Sequence, residues 1–405
     1  MKNLLFNSDQ ASFSQDRRNF LKVTAAVSGG LLLEMSIPGL SMAEASWQAN
    51  AFLRIDQDAT VTVIIKHLEM GQGTYTGLAT LVAEELDANW EQIRVEAAPA
   101  NAKLYKNLFW GTQGTGGSTA IANAFQQMRK AGATARQMLM AAAAEQWQVD
   151  SIEISNGRIS HPASGRSAGF GEFAAAAAKQ PLPLDVELKD PKEFRLIGKE
   201  GLVRKDNIDK TQGTAIYTQD IFLPNMLTAL VAHPPRFGAK LKSYNADTAI
   251  KMPGVKHIVQ IPTGVAVVAT DFWSAKTARD ALKIEWDESE AFKLSSDAIM
   301  AQYKKMAAQP GAIAAQKGNL SKGRQAAKQT LSASFEFPYL AHAAMEPMNC
   351  VVDLHTDACD LYYGVQMNTG DQMAVAKALN MKPEQVRLHM LYAGGSFGRR
   401  ANPKS

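Results

Sequence analysis

Three short glycine-rich segments carry the groups best suited to grip a ligand. The first, Glu69-Met70-Gly71-Gln72-Gly73-Thr74-Tyr75-Thr76, follows the β-branched run 59–65. Gly71 and Gly73 permit positive φ and a close backbone approach, and Gln72 between them offers both a donor and an acceptor. The second, Gly111-Thr112-Gln113-Gly114-Thr115-Gly116-Gly117-Ser118-Thr119, opens a long helical pattern. Ser118 and Thr119 can cap that helix and donate hydroxyl hydrogen bonds to phosphate oxygens. The third is split: Gly364-Val365-Gln366 ends one strand pattern, and Ala393-Gly394-Gly395-Ser396-Phe397-Gly398-Arg399-Arg400 follows another. The chemistry this suggests is backbone and hydroxyl recognition of one extended, anion-bearing ligand. Neither the GxxxxGK[ST] spacing of a P-loop nor a strand-linked GxGxxG is present. Each segment also has a plain reading: a strand-to-helix turn, a capped surface loop, a satisfied strand-end amide at Gln366, a solvated basic turn at Arg399 and Arg400.

The elements around these turns are legible from periodicity. A strand covers 59–65, helices cover Gly77–Leu86 and about Ala120–Trp147, a polar turn spans 155–166, and a short helix spans 173–179. The first helix would aim the positive end of its dipole at the GQG turn. Pro181, Pro183 and Pro191 mark a linker. Beyond it, β-rich runs at 227–233, 255–261 and 264–270 precede a helix at 273–282, an alternation that indicates a compact α/β module. The interval 289–323 is polar and reads as a helix plus exposed connector. A strand at 331–337, a helix at 371–379 and a strand at 386–391 follow. The expected class is mixed α/β.

The 405 residues are 46% hydrophobic and 20% charged, which suits two or three globular domains rather than a disordered chain. The net charge of +4 is spread too thinly to imply a nucleic-acid partner. Only Cys350 and Cys359 are present, without CxxC spacing, and the seven histidines are scattered. A four-cysteine iron–sulfur cluster is therefore excluded from this sequence, and His342 with Glu346 forms a poor metal pair because Pro347 follows directly. At the N-terminus, Asp16-Arg17-Arg18-Asn19-Phe20-Leu21-Lys22, a mild apolar run 23–33 and Ala43-Glu44-Ala45 resemble a twin-arginine export signal. The run is too short to span a membrane, and the expected destination is the periplasm.

Taken jointly, these motifs resemble the molybdopterin-binding large subunit of the xanthine dehydrogenase and aldehyde oxidase family, above all the branch that holds the isoquinoline 1-oxidoreductase beta subunit. The carrying residues are 69–73, 114–124, His342-Ala343-Ala344-Met345-Glu346-Pro347-Met348-Asn349-Cys350, 364–366 and 394–400, with the GQG segment preceding GGxFG as in that branch. The resemblance implies a signal peptide at 1–45, part of the second molybdopterin-binding domain at 46–190 and a hammerhead-like α/β domain at 191–288. A connector at 289–328 and the start of the first molybdopterin-binding domain at 329–405 complete the expected division. It implies that Gly71, Gln72, Gly73, Gly116, Gly117, Ser118, Thr119, Gln366, Gly394, Gly395, Ser396, Phe397, Gly398, Arg399 and Arg400 hold the cofactor, with Gln366 beside an oxo ligand of molybdenum and Gln72 on the pterin. His342 and Glu346 would line the cavity wall. No side chain would ligate the metal, since the dithiolene of the cofactor does so.

The implied cofactor is molybdenum-molybdopterin in its cytosine dinucleotide form. The implied partner is a small subunit with [2Fe–2S] clusters, and a cytochrome c is among the acceptors allowed. The implied reaction is hydroxylation of an N-heteroaromatic ring or an aldehyde, with water as oxygen source. No residue of the chain is assigned as catalytic acid or base: the resemblance places the general-base glutamate beyond Ser405. Arg399-Arg400-Ala401 stands where much of the family carries an acidic residue, which argues against purine-like substrates. Two other readings are a catalytically silent partner or assembly protein and an exported carbohydrate- or nucleotide-binding module.

Overall fold

The computed structural model describes residues 47–402, which form two compact units. The signal-peptide reading of residues 1–45 lies outside the described residues. One unit runs to Ile221 and resumes at His342; the other spans Phe222–Ala341.

In the first unit, strands β1 (Trp47–Asn50), β2 (Leu53–Ile55), β3 (Val61–Ile65) and β4 (Ile93–Ala97) form a sheet in that order. β1, β2 and β3 pair antiparallel, whereas β3 and β4 are parallel and joined through helix α1 (Thr74–Leu86). After a short turn of helix, α2 (Ala102–Tyr105), the long helix α3 (Ala120–Trp147) crosses α1. The crossing is tight because Gly132 has no side chain: a Cβ there would lie 2.4 Å from the Val82 carbonyl oxygen. Phe52, Ile55, Val63, Leu78, Val82, Met128 and Leu139 are among the side chains that close this core.

Strands β5 (Glu153–Ser155), β6 (Arg158–His161) and β7 (Arg166–Gly169) follow as an antiparallel meander leading into α4 (Phe170–Ala177). The sequence indicates a polar turn over 155–166. The meander escapes notice because its strands are only three or four residues long and largely exposed, with Ile154, Ile159 and Ala168 as their buried anchors.

Residues 191–221, expected from the prolines to belong with the inserted α/β region, pack on the first unit instead. Glu84 holds them: its carboxylate accepts the backbone N–H groups of Arg195, Leu196 and Ile197 at 2.7–3.1 Å and pairs with Lys189 at 3.3 Å. Burial alone would raise the Glu84 carboxyl, but the Ile197, Leu196 and Arg195 amides and the Lys189 ammonium outweigh it and hold it below the ordinary range. Helix α5 (Asn207–Gln212) lies in this stretch.

The second unit contains β8 (Thr228–Ala232), β9 (Lys240–Asn245), β10 (Val255–Ile261), β11 (Gly264–Ala269) and β12 (Lys283–Asp287). β10, β11 and β8 make one antiparallel sheet; β12 and β9 pair separately. Helix α6 (Phe272–Asp280) covers the three-stranded sheet through Ala278 and Val267. Helices α7 (Ser296–Ala307) and α8 (Leu320–Ala326) are followed by irregular backbone. The strand expected over 331–337 does not form: Leu331, Phe335 and Phe337 alternate as a strand would but have no ladder partner among the described residues.

The chain then rejoins the first unit. Strands β13 (Val351–Leu354), β14 (Cys359–Tyr363) and β15 (Val386–Met390) form its last sheet, with β14 and β15 parallel and linked by α9 (Asn368–Leu379). Leu361, Val365, Leu388, Met390 and Ala393 pack with Leu68 in a second core. The thiols of Cys350 and Cys359 are both free. The mixed α/β class is as the sequence indicates.

Candidate functional site

Parallel strands joined by helices leave their carboxyl ends open to a ligand, because the crossover carries each chain away to the opposite edge. Three such ends meet here. β3 leads into Lys66–Gly73, β14 into Gly364–Gln366, and β15 into Ala393–Arg400. The Gly111–Thr119 segment, at the amino end of α3, docks on the first two through Gly114 and Thr115.

Gln366 is the joint. Its buried side chain donates from Nε2 to the Thr115 carbonyl oxygen at 2.8 Å and accepts the Ser396 hydroxyl on Oε1 at 2.5 Å. The Thr115 N–H donates back to the Gln366 carbonyl at 2.8 Å. Gly114 keeps this approach close, since a Cβ would crowd the Met367 sulfur at 3.1 Å and the Gln366 carbonyl oxygen at 3.3 Å. Gln366 thus meets the satisfied-amide reading, and it also brings two of the glycine segments together.

His67 ties the same loop from below. Lys66, His67, Leu68 and Glu69 are each fully buried. The Leu108 N–H donates to Asn123 Oδ1, so the Asn123 amide nitrogen faces His67 and donates to Nε2 at 2.9 Å. Nδ1 of His67 therefore carries the proton and donates to the Gly114 carbonyl at 3.1 Å. Burial, reinforced by the neighbouring Lys66 charge, pushes the imidazole down to about 4, so it is neutral at physiological pH. Among the described residues Lys66 has no carboxylate partner; it donates to the Lys106 carbonyl at 2.9 Å and Gln127 Oε1 at 2.7 Å, and burial lowers it to about 8.

A histidine whose folded value lies below its ordinary 6.5 binds fewer protons folded than unfolded, so stability rises with pH between the two. The contribution is complete above 6.5 and is lost as pH falls through about 4, a loss of about 3 kcal/mol. Urea midpoints measured from pH 7 to 4 should therefore fall more steeply for the wild-type chain than for His67→Gln. Parallel curves would show that His67 does not titrate as described.

The first glycine turn is organised differently from expectation. Helix α1 begins at Thr74, three residues earlier than Gly77, and its amino end already holds an anion. The Glu69 carboxylate accepts the N–H groups of Gly71 (2.8 Å), Gly73 (3.2 Å) and Tyr75 (3.1 Å). Arg204 and Lys210 approach it at 3.3 and 3.7 Å, and both also pair with the buried Asp206. Gln72 folds back onto its own turn, accepting the Met70 N–H and donating to the Leu68 carbonyl, each at 2.8 Å. Gly71 and Gly73, at φ 112° and 89°, make this closed loop possible. The phosphate expected at this helix start has its place taken by Glu69, a role the sequence hints at only through an acid two residues before a glycine turn.

The second glycine turn remains open. Thr119 is the residue before α3, yet its hydroxyl donates to the Gly116 carbonyl and accepts from the Asn107 amide, so α3 has no side-chain cap. The cap expected of Ser118 or Thr119 is absent for that reason. Gly116 is partly exposed, Gly117 and Ser118 are exposed, and Ser118 adopts a left-handed φ of 54°.

In the third turn, Gly394 abuts Glu346, whose Cβ would be 2.5 Å from a Cβ at 394. The Glu346 carboxylate accepts the N–H groups of Gly394 (2.9 Å) and Thr218 (3.2 Å) and pairs with Arg400 at 2.7 Å. Arg400 also donates to the Gly395 carbonyl at 2.8 Å. It is a buried brace of the turn, not the solvated arginine that a basic turn suggests. Gly395 and Gly398 are left-handed, as is the exposed Phe397 between them at φ 54°, an uncommon state for an aromatic residue. Arg399 is half-buried. His342 is exposed, whereas Glu346 is buried against the Gly394 turn.

Models of the molybdopterin cofactor-binding domain match residues 7–215 and 303–404. The chain belongs to the molybdopterin-binding oxidoreductase family of xanthine dehydrogenase and aldehyde oxidase. It is 32% identical over 404 residues to the beta subunit of isoquinoline 1-oxidoreductase from Brevundimonas diminuta, covering 87% of this chain and 51% of that one. It is 28% identical to a membrane-bound aldehyde dehydrogenase (pyrroloquinoline-quinone) of Gluconacetobacter polyoxogenes, covering 97% and 53%. Identity to one subunit of the nicotinate dehydrogenase of Pseudomonas putida is 27%, covering 86% and 30%. The chain thus spans about half the length of the first two relatives.

The residues present fit such a cofactor at one place. Gly116 and Gly117 leave backbone where a side chain would block approach, beside the uncapped amino end of a 28-residue helix. Gln366 lies against the same turn and carries Ser396 on its amide oxygen.

Proposed function

We propose that the chain is the cofactor-binding portion of the large subunit of a molybdenum hydroxylase, with molybdopterin cytosine dinucleotide as its cofactor. The observation that carries this is the open Gly116–Thr119 turn gathered with Gln366 and Ser396 at three parallel-strand ends. When bound, the cofactor supplies two-electron oxidation of a carbon next to a ring nitrogen or a carbonyl, water providing the oxygen. The chain's own residues bind and orient. Backbone N–H groups at the start of α3 receive phosphate oxygens, where the helix dipole is favourable. Gln366 donates one amide hydrogen to Thr115 and keeps the second for an acceptor on the cofactor. Gly394, Gly395 and Gly398 shape the opposite wall, with Glu346 and Arg400 fixing their position. Gly71, Gln72 and Gly73 support the site through Glu69.

Electrons leave through a small [2Fe–2S] subunit, since this sequence lacks the cysteines for a cluster, and a cytochrome c is a suitable acceptor beyond it. The names of two relatives, each one subunit of a larger enzyme, support a multi-chain complex. The substrate is an N-heteroaromatic compound or an aldehyde. Arg17 and Arg18 direct twin-arginine export to the periplasm, and among the described residues no helix is long and apolar enough to cross a membrane.

Molybdenum and pterin in the complex purified from periplasm, together with cytidine monophosphate released by acid, test the reading. Stoichiometric metal and nucleotide are expected. A complex that is exported intact without pterin would make the chain a catalytically silent partner.

A further inference from the structure

The loop between α2 and the second glycine turn displays Leu108, Phe109 and Trp110, three successive large apolar side chains, 39–62% exposed. Such exposure usually accompanies a mobile loop, but this one is fixed. Asn107 is fully buried; its N–H donates to the Thr112 carbonyl at 2.8 Å, its carbonyl accepts Trp110 and Gly111, and its side-chain oxygen accepts Phe109. Its amide nitrogen is anchored on Thr119 at 2.7 Å, and Asn123 accepts the Leu108 N–H. An ordered loop that holds an aromatic ring in water beside a binding turn costs apolar exposure, which a ligand contact would offset.

Trp110 has a defined position. Its indole lies 3.2 Å from where a Gly116 Cβ would stand and 3.6 Å from that of Gly117, and Gly116 is in turn 3.8 Å from Gln366 Nε2 by the same measure. The ring and the Gln366 amide therefore flank a single glycine. A side chain at 116 would displace the indole.

We propose that Trp110 is a specificity-determining residue, the aromatic wall on which a flat heteroaromatic substrate stacks beside Gln366. This rests on the functional reading above and narrows its substrate class to rings over aliphatic aldehydes. An indole offers a broad π face at little entropic cost, and stacking on it discriminates planar from aliphatic ligands. Neither phosphate nor a metal takes part.

The test uses the purified chain, with isoquinoline, cytidine monophosphate and butyraldehyde as separate probes in equilibrium dialysis. Isoquinoline is expected to bind. Trp110→Leu should weaken it by about tenfold, Trp110→Phe by less, and neither should change butyraldehyde. Melting temperatures near wild type would confirm folding, and Trp110→Phe serves if the leucine variant does not fold. Equal isoquinoline affinity in all variants, no isoquinoline binding by wild type, or a Trp110→Leu loss confined to cytidine monophosphate would each overturn the proposal. A molybdenum-free complex would instead count against the functional reading alone, because ring binding by the chain is read without the cofactor.

Discussion

Replacing Glu69 by alanine is expected to open the Met70–Thr76 turn and destabilise the first unit by about 3–5 kcal/mol. The carboxylate is fully buried and simultaneously answers the N–H groups of Gly71, Gly73 and Tyr75. Alanine strands those donors and leaves Arg204 and Lys210 with Asp206 as their remaining shared anion. Of the three, only Tyr75 is buried, so its unanswered N–H costs about 1–3 kcal/mol while Gly71 and Gly73 can turn to water, and the lost charge pairing adds to it. Glu69→Gln should cost less, since the amide oxygen still accepts. Urea denaturation of the three proteins measures the order, and a Glu69→Ala midpoint equal to wild type would refute this account of the turn.

Arg400→Leu should have a comparable effect, again about 3–5 kcal/mol, because it leaves the Glu346 carboxylate buried without its cation. Glu346 would keep the Gly394 and Thr218 amides but lose the guanidinium that also clamps the Gly395 carbonyl. The double variant Arg400→Leu with Glu346→Gln should cost much less than the sum of the singles, since both removals act on one pair. Additive losses in that cycle would mean that the two side chains do not stabilise each other. Because Arg400 is expected to brace the turn, pterin content should fall along with stability.

Much of this was readable in the sequence where a long periodic pattern met a strong boundary. The helix Ala120–Trp147 has the bounds its alanine-rich periodicity and preceding glycines indicate, and the β10–β11–α6 run is likewise found where apolar alternation gives way to a helical pattern. Short, charged strands were illegible: β9 reads Lys-Leu-Lys-Ser-Tyr-Asn and β12 Lys-Ile-Glu-Trp-Asp, each with few anchors facing a core. The opposite error occurred at 331–337, where good alternation lacked the neighbour that a strand requires. Within the candidate site, the glycines were visible because positive φ and close approach restrict residue type. What held them was hidden. Glu69, Glu346 and His67 act across 2 to 128 positions of chain, and a lone acid or histidine in a sequence does not announce which backbone groups it will meet. Trp110 carries no sequence signal for the same reason, being unremarkable until its ring is found against Gly116.

The exit of β3 also bears on how the chain can change. Lys66 reaches the loop before α3, His67 the second glycine turn, Leu68 the core beneath β14 and β15, and Glu69 the first glycine turn. Each of four consecutive residues thus addresses a different segment. Inserting or deleting one residue beside Ile65 would readdress all four at once, since each side chain would be carried to its neighbour's position. Substitutions there can be offset locally, one contact at a time, but a change of length cannot. Across descendants of this chain, the spacing from β3 to the GQG turn should be invariant even where the residues filling it are exchanged.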